Sequence, residues 1–213
     1  MTGATRLLPV VIPGPAGDLE ALVQEREGAP RLIAVVCHPH PLYGGTLHNK
    51  VVHRVASVLH ELGAAVVRFN FRGAGKSAGV HDRGVGELED ARAALRWIEQ
   101  RHPGVPRWVA GFSFGAWIAA RLAADEREIE RLILIAPAVR TSSFETMHTA
   151  TVPKLVVQGT ADVTCPLANL QQEFPNWAEP KQLVLIEGGT HFFDRQLAAL
   201  GDALRRELQP LVV

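Results

Sequence analysis

A serine, an aspartate and a histidine, in that chain order at positions 113, 162 and 191, are the residues best placed to do chemistry. Ser113 lies in Gly111-Phe112-Ser113-Phe114-Gly115, between the apolar run Trp108-Val109-Ala110 and the helix-forming stretch 116–124. A sharp strand-to-helix turn at Gly-x-Ser-x-Gly holds the serine in strained backbone angles and lifts its oxygen clear of the sheet. Larger residues at the glycine positions would collide. The start of the helix offers backbone N–H groups and a positive dipole end to a developing oxyanion. Such a serine is an acyl-transfer nucleophile once a base and an orienting acid reach it.

Asp162 lies in Gly159-Thr160-Ala161-Asp162, a loop just past the apolar run Leu155-Val156-Val157, with Pro166 placed to begin a helix. An isolated aspartate there is a turn or capping residue; in this setting it is the candidate acid. His191, in Gly188-Gly189-Thr190-His191-Phe192-Phe193, follows the last apolar run and is the candidate base. The other eight histidines read as surface or capping residues. The order Ser113, Asp162, His191 differs from that of chymotrypsin and of subtilisin. Two other motifs fail. Gly75-Lys76-Ser77 imitates the end of a phosphate-binding loop, but the required earlier glycine is Asn70. Gly84-Val85-Gly86 lacks the third glycine of a dinucleotide fingerprint.

These residues must be positioned by the elements around them. Residues 5–12 and 18–25 read as a strand pair about Pro13-Gly14-Pro15-Ala16-Gly17, the second alternating polar and apolar. Continuous apolar runs at 32–37, 64–69, 108–110, 132–135, 155–157 and 183–186 read as strands covered on both faces. Helical patterns alternate with them at 47–62, 86–101, 114–125, about 166–174 and 193–208. In 47–62, Val51, Val55, Val58, Leu59 and Leu62 share a face. The alternation predicts an α/β fold, a mostly parallel sheet of about 7–8 strands with helices on both faces. No repeat, low-complexity tract or linker interrupts it, so residues 1–213 are expected to form a single domain.

On these motifs the chain resembles the α/β-hydrolase superfamily over nearly its whole length. It is most similar to small lidless bacterial serine hydrolases related to the dienelactone hydrolases. The resemblance rests on His38-Pro39 with Gly44-Gly45, Arg68-Phe69-Asn70-Phe71-Arg72-Gly73, the Ser113 pentapeptide, Gly159-Thr160-Ala161-Asp162 and His191-Phe192-Phe193. Dienelactone hydrolases use a cysteine nucleophile; this chain has Ser113, so lactone specificity does not carry over. Only about fifteen residues separate the run at 132–135 from Pro153, too few for the helical lid domain many relatives insert. An open pocket is expected.

The resemblance implies a catalytic triad of Ser113, Asp162 and His191. It also implies an oxyanion hole of the Phe114 N–H and a second N–H from the loop His38-Pro39-His40-Pro41-Leu42-Tyr43. Prolines have no N–H, which leaves His40 as the expected donor and Leu42 as the alternative. A rigid turn shaping only the pocket rim is the other reading of this loop. The pair His38 and His40 also has metal-ligand spacing, but without the neighbouring carboxylate and further histidine of a metallohydrolase loop. Leu42, Tyr43 and Phe192 are expected to line the substrate pocket, with Phe112, Phe114 and Trp117 adding apolar wall.

The expected reaction is hydrolysis of a small ester or acyl substrate through an acyl-enzyme on Ser113, with no metal or organic cofactor. Each oxyanion donor would contribute roughly 3–4 kcal/mol. Thioester or peptide hydrolysis uses the same triad, and a non-catalytic binding module on this scaffold is the reading from another class.

Composition excludes other classes. Of 213 residues, 47% are hydrophobic, enough for one sizeable core, and 22 basic residues balance 22 acidic ones. A net charge of zero with no basic stripe argues against a nucleic-acid partner. The N-terminal stretch is too short and proline-interrupted for a signal core or membrane span, so no membrane partner and a cytoplasmic location are expected. Cys37 and Cys165 are expected to be free thiols there.

Overall fold

A computed structural model describes residues 5–212. Strands β1 (Thr5–Gly14), β2 (Gly17–Arg26), β3 (Leu32–Cys37), β4 (Ala64–Phe69), β5 (Arg107–Phe112), β6 (Ile129–Ile135), β7 (Lys154–Gly159) and β8 (Lys181–Ile186) form one sheet. Its order is β1-β2-β4-β3-β5-β6-β7-β8. The β1–β2 hairpin pairs antiparallel with β4, and every other pairing is parallel. The sequence predicts the parallel sheet; the place of β4 between β2 and β3 is set by crossovers that it does not display.

Helices α1 (Lys50–Glu61), α2 (Val85–Arg101), α3 (Phe114–Asp125) and α4 (Leu167–Glu173) connect strands, and α5 (Leu197–Leu208) follows β8. Strand β3 shows why both faces need covering. Ile33, Val35 and Cys37 point to the layer packed by α2 and α3, while Leu32, Ala34 and Val36 point to the layer packed by α1 and α5. Helix α3 meets its layer with Ala116, Ala119, Ala120 and Ala123, small enough to bring the helix close to the sheet. Cys37 and Cys165 are buried free thiols.

Helix boundaries depart from the sequence pattern at two places. The pattern over 47–62 begins too early, because Asn49 caps α1 by accepting the Val51 N–H at 2.9 Å. The expected helix over 193–208 begins only at Leu197. Phe193 and Arg195 adopt φ of 50° and 62°, which bends residues 193–196 out of helical conformation.

Residues 136–153, between β6 and β7, contain only a single 3-10 turn at Glu145–His148, so no lid domain covers the sheet edge. This segment is nonetheless anchored. The buried Lys154 ammonium donates to the carbonyls of Ala150 at 2.8 Å and Ala178 at 2.7 Å. The segment after β4 is anchored by the buried Asp90 carboxylate. It accepts the Arg72 N–H at 2.9 Å and pairs with the Arg72 guanidinium through Nε and Nη2 at 3.0 and 2.8 Å. Within that segment, the Lys76 N–H donates to the Glu20 carboxylate at 2.8 Å and Ser77 donates to the Asn70 carbonyl. The Lys76 N–H and the Ser77 hydroxyl of the Gly75-Lys76-Ser77 turn thus hold the fold together, while the Lys76 ammonium lies at the surface. No helix among the described residues is long and apolar enough to cross a membrane.

Candidate active site

Ser113, Asp162 and His191 follow the C-terminal ends of β5, β7 and β8, the sheet edge where open α/β folds bind ligands. Ser113 has φ 58° and ψ −115°, a conformation rarely adopted by a residue with a side chain. Its N–H donates to the Ile135 carbonyl at 2.9 Å, tying the turn to β6. The flanking glycines are sterically required. A Cβ on Gly111 would lie 2.1 Å from the Gly115 carbonyl oxygen, and one on Gly115 would lie 2.4 Å from the carbonyl oxygens of Cys37 and His38.

The three side chains form a continuous hydrogen-bonded line. His191 Nε2 lies 3.1 Å from Ser113 Oγ, and His191 Nδ1 lies 2.8 Å from Asp162 Oδ2. An ionised carboxylate only accepts, so Asp162 fixes the proton on Nδ1 and leaves Nε2 to accept from the serine hydroxyl. Asp162 is held from behind. Its Oδ1 accepts the N–H groups of Thr164 at 2.9 Å and Cys165 at 2.8 Å, and Oδ2 also accepts from Gln158 Nε2 at 3.2 Å. The acid and base loops touch through their backbones. A Cβ on Gly159 would lie 2.2 Å from the Gly189 carbonyl oxygen, and the Ala161 N–H donates to that same oxygen at 3.0 Å. The His191 ring rests against Phe112, with centroids 4.9 Å apart.

Two backbone donors remain near the serine. The N–H groups of Phe114, the first residue of α3, and of His40 have no acceptor among the described residues. The Leu42 N–H, the alternative donor, is directed to His40 Nδ1 at 3.3 Å. His38, at the end of β3, is a structural residue. Its Nδ1 donates to the Pro39 carbonyl at 2.6 Å and its Nε2 accepts the Phe71 N–H at 2.9 Å. Both ring nitrogens are committed in the neutral form, and burial pushes the imidazole down to about 4. No ring nitrogen of His38 is left to ligate a metal beside His40.

Cys165 is the near neighbour that sequence reasoning did not select. Asp162, Cys165 and His191 bring a carboxylate oxygen, a sulfur and a ring nitrogen within 4.8 Å of one another, a spacing that can hold a metal ion. The chemistry of the set favours hydrogen bonding instead. Asp162 and His191 already face each other, and burial, with the Asp162 charge adding to it, pushes the thiol up to about 12.

A cleft of about 600 Å³ opens beside Ser113. Of the expected pocket residues, Tyr43 lines it, as do Phe114 and Trp117. Leu42 and Phe192 do not: Leu42 is 69% exposed, and Phe192 meets Phe112 and His191 edge to face with 43% of its surface exposed. Their apolar type suggested a wall position, but loop direction, which composition does not encode, turns them elsewhere. In their place the cleft receives His81, Arg83 and Arg140, scattered polar loop residues without a motif.

A family model described as serine aminopeptidase, S33, matches residues 28–144, and one described as alpha/beta hydrolase family matches residues 89–201. The chain is 36% identical over 189 residues to an uncharacterised protein of Rickettsia prowazekii, covering 84% of this chain and 79% of that one. Among solved structures it resembles an alpha-beta serine hydrolase homologue from Coxiella burnetii, at TM-score 0.90 and 42% identity over 94% of this chain and 97% of the other. It also resembles a serine hydrolase without lid from Xanthomonas campestris, at TM-score 0.90 and 37% identity over 98% and 96% of the two chains.

Proposed function

The chain belongs to the α/β-hydrolase family, and from that premise we propose that it is a serine carboxylesterase acting through an acyl-enzyme on Ser113. The observation that carries this reading is the unbroken line from Ser113 Oγ through His191 to a carboxylate held by two backbone N–H groups. His191 Nε2 takes the serine proton as Oγ attacks the ester carbonyl carbon. Asp162 keeps the ring oriented and stabilises the imidazolium. The free N–H groups of Phe114 and His40 receive the developing oxyanion, at roughly 3–4 kcal/mol per donor. His191 then returns the proton to the departing alcohol. In the second half, water adds to the acyl-enzyme with His191 as base, releasing the acid and restoring Ser113.

A second reading is peptide hydrolysis, favoured by the serine aminopeptidase description of one matching family model. An aminopeptidase needs an anion to receive the substrate ammonium group. The residues lining the cleft include no aspartate or glutamate, which supports the esterase reading over this one.

The test is a set of initial rates on 4-nitrophenyl esters from acetate to palmitate, with Ser113→Ala measured alongside. Ester turnover that falls by at least about a thousandfold in the variant is the expected result. Labelling of Ser113 by a fluorophosphonate accompanies it. Undiminished turnover in Ser113→Ala, or an unlabelled serine with no ester turnover, overturns the proposal.

A further inference from the structure

The cleft beside Ser113 carries one sign of charge in a chain whose 22 basic and 22 acidic residues cancel. Its charged lining is Arg83 and Arg140, beside the imidazoles of His40, which burial makes harder to protonate, and of His81, and no acidic residue lines it. Neither guanidinium has a carboxylate within ion-pairing distance among the described residues. Arg72, Arg92, Arg101, Arg107, Arg205 and Arg206 each pair with one; among the described arginines without an acidic partner, which include Arg96, Arg127 and Arg195, Arg83 and Arg140 are the two that line this cleft. Charges of one sign in a concave, partly apolar surface focus the field on whatever enters it.

The two arginines also stand on fixed turns. Arg83 adopts φ 50°, unfavourable for a residue with a side chain, and the surroundings impose it. The fully buried Glu87 carboxylate accepts the N–H groups of Asp82 at 2.9 Å and Gly84 at 2.7 Å, one on each side of Arg83. The Gly84 carbonyl accepts from Arg121 at 2.8 Å. The same Glu87 lies 2.7 Å from His81 Nδ1, close enough to pair although not aligned as a hydrogen bond. Arg140 belongs to a turn closed by the N–H groups of Thr141 and Ser142 on the Ala138 carbonyl at 3.1 and 3.0 Å. Trp117 of α3 ties that segment down by donating to the Ser143 carbonyl at 2.8 Å.

The geometry points to an anion-recognising subsite: Arg83 and Arg140 select esters of which one half carries a second, ionised group such as a carboxylate. The planar guanidinium fork matches a carboxylate, and a fixed turn spares the cost of ordering the backbone that carries it, while the exposed side chain still has to be ordered by the ligand. This assignment rests on Ser113 being the nucleophile.

Two matched pairs of esters test it at low ionic strength. Mono-4-nitrophenyl adipate against neutral 4-nitrophenyl heptanoate places the charge on the acid half. The ester 3-carboxyphenyl butyrate against phenyl butyrate places it on the alcohol half. One charged ester is expected to exceed its neutral partner about fivefold in kcat/KM, mostly through KM, with the margin shrinking as salt screens it. Arg83→Gln and Arg140→Gln bring that ratio to about one, Arg83→Lys restores part of it, and Arg206→Gln on α5 leaves it as it was. Calorimetric binding of adipate and 3-hydroxybenzoate in wild-type and Arg83→Gln proteins reads the same subsite without turnover. Ser113-dependent hydrolysis of all four esters with no preference for either charged one overturns the subsite while leaving the esterase reading intact. Loss of Ser113-dependent turnover on all four, with arginine-dependent binding retained, overturns the esterase reading and keeps the subsite. Absence of both turnover preference and binding rejects the subsite outright.

Discussion

At the scale of single residues, the chemistry depends on close approaches that a methyl group would prevent. Gly115 faces the carbonyl oxygens of Cys37 and His38 so closely that alanine must displace either α3 or the end of β3. The displaced atoms would be backbone, which cannot rotate away as a long side chain can. Gly115→Ala is therefore expected to destabilise the protein by about 3 kcal/mol and to cut ester turnover by at least about a hundredfold. Urea unfolding and initial rates on one ester check the two parts. The residues at this scale were also the most legible in the sequence, because Gly-x-Ser-x-Gly, Gly-x-x-Asp and the histidine before Phe192 carry their own spacing. Cys165, Gln158 and the cleft arginines were not legible. Gln158 and Cys165 lie within four residues of Asp162 but belong to no motif, and the arginines take their meaning from a cleft assembled by loops distant in sequence.

At the scale of elements, buried strands were readable because a strand covered on both faces must be apolar throughout, as Leu32–Cys37 is. Strand β7 extends one residue before its apolar run, to Lys154, since a buried lysine there does the work of a clamp. Its ammonium satisfies carbonyls from the segment that forms one wall of the cleft and from the approach to β8. Burial holds the ammonium down to about 8, so it is still charged at neutral pH. Lys154→Ala removes the donor and leaves the Ala150 and Ala178 carbonyls without it, an expected loss of about 2–3 kcal/mol. Hydrogen exchange at the amides of residues 147–152 and of 178 and 179 should rise more than at β3 or β5. A uniform rise across the sheet would show that the clamp serves the whole core instead of this wall.

At the scale of the whole molecule, the arrangement of strands is where sequence reading ended. Alternation of strands and helices implies a parallel sheet, but the order of strands follows from which crossovers pack best, a property of the assembled layers. The assembly also sets a pH dependence. His38 is neutral and buried at the centre of the sheet edge, with its imidazole at about 4 when folded against 6.5 for an ordinary histidine. Between these values the unfolded chain binds a proton that the folded chain refuses. Stability from this group is thus complete above pH 6.5 and declines as pH falls towards 4, by up to about 1.4 kcal/mol per pH unit. Urea unfolding at pH 7, 6, 5 and 4.5 should show the wild-type advantage over His38→Gln narrowing across that window. A constant difference would mean that His38 takes up its proton in the folded state as readily as in the unfolded one.

The contact between Gly159 and Gly189 makes one unit of the loops that carry Asp162 and His191, whereas the arginine-bearing turns belong to separate connections, after β4 and after β6. Heritable variation therefore meets two kinds of ground. A change in the fused loops disturbs acid and base together, while the turns that carry Arg83 and Arg140 hold none of the three triad side chains. Descendants of such a molecule can diverge in what they accept while inheriting the same way of breaking a bond.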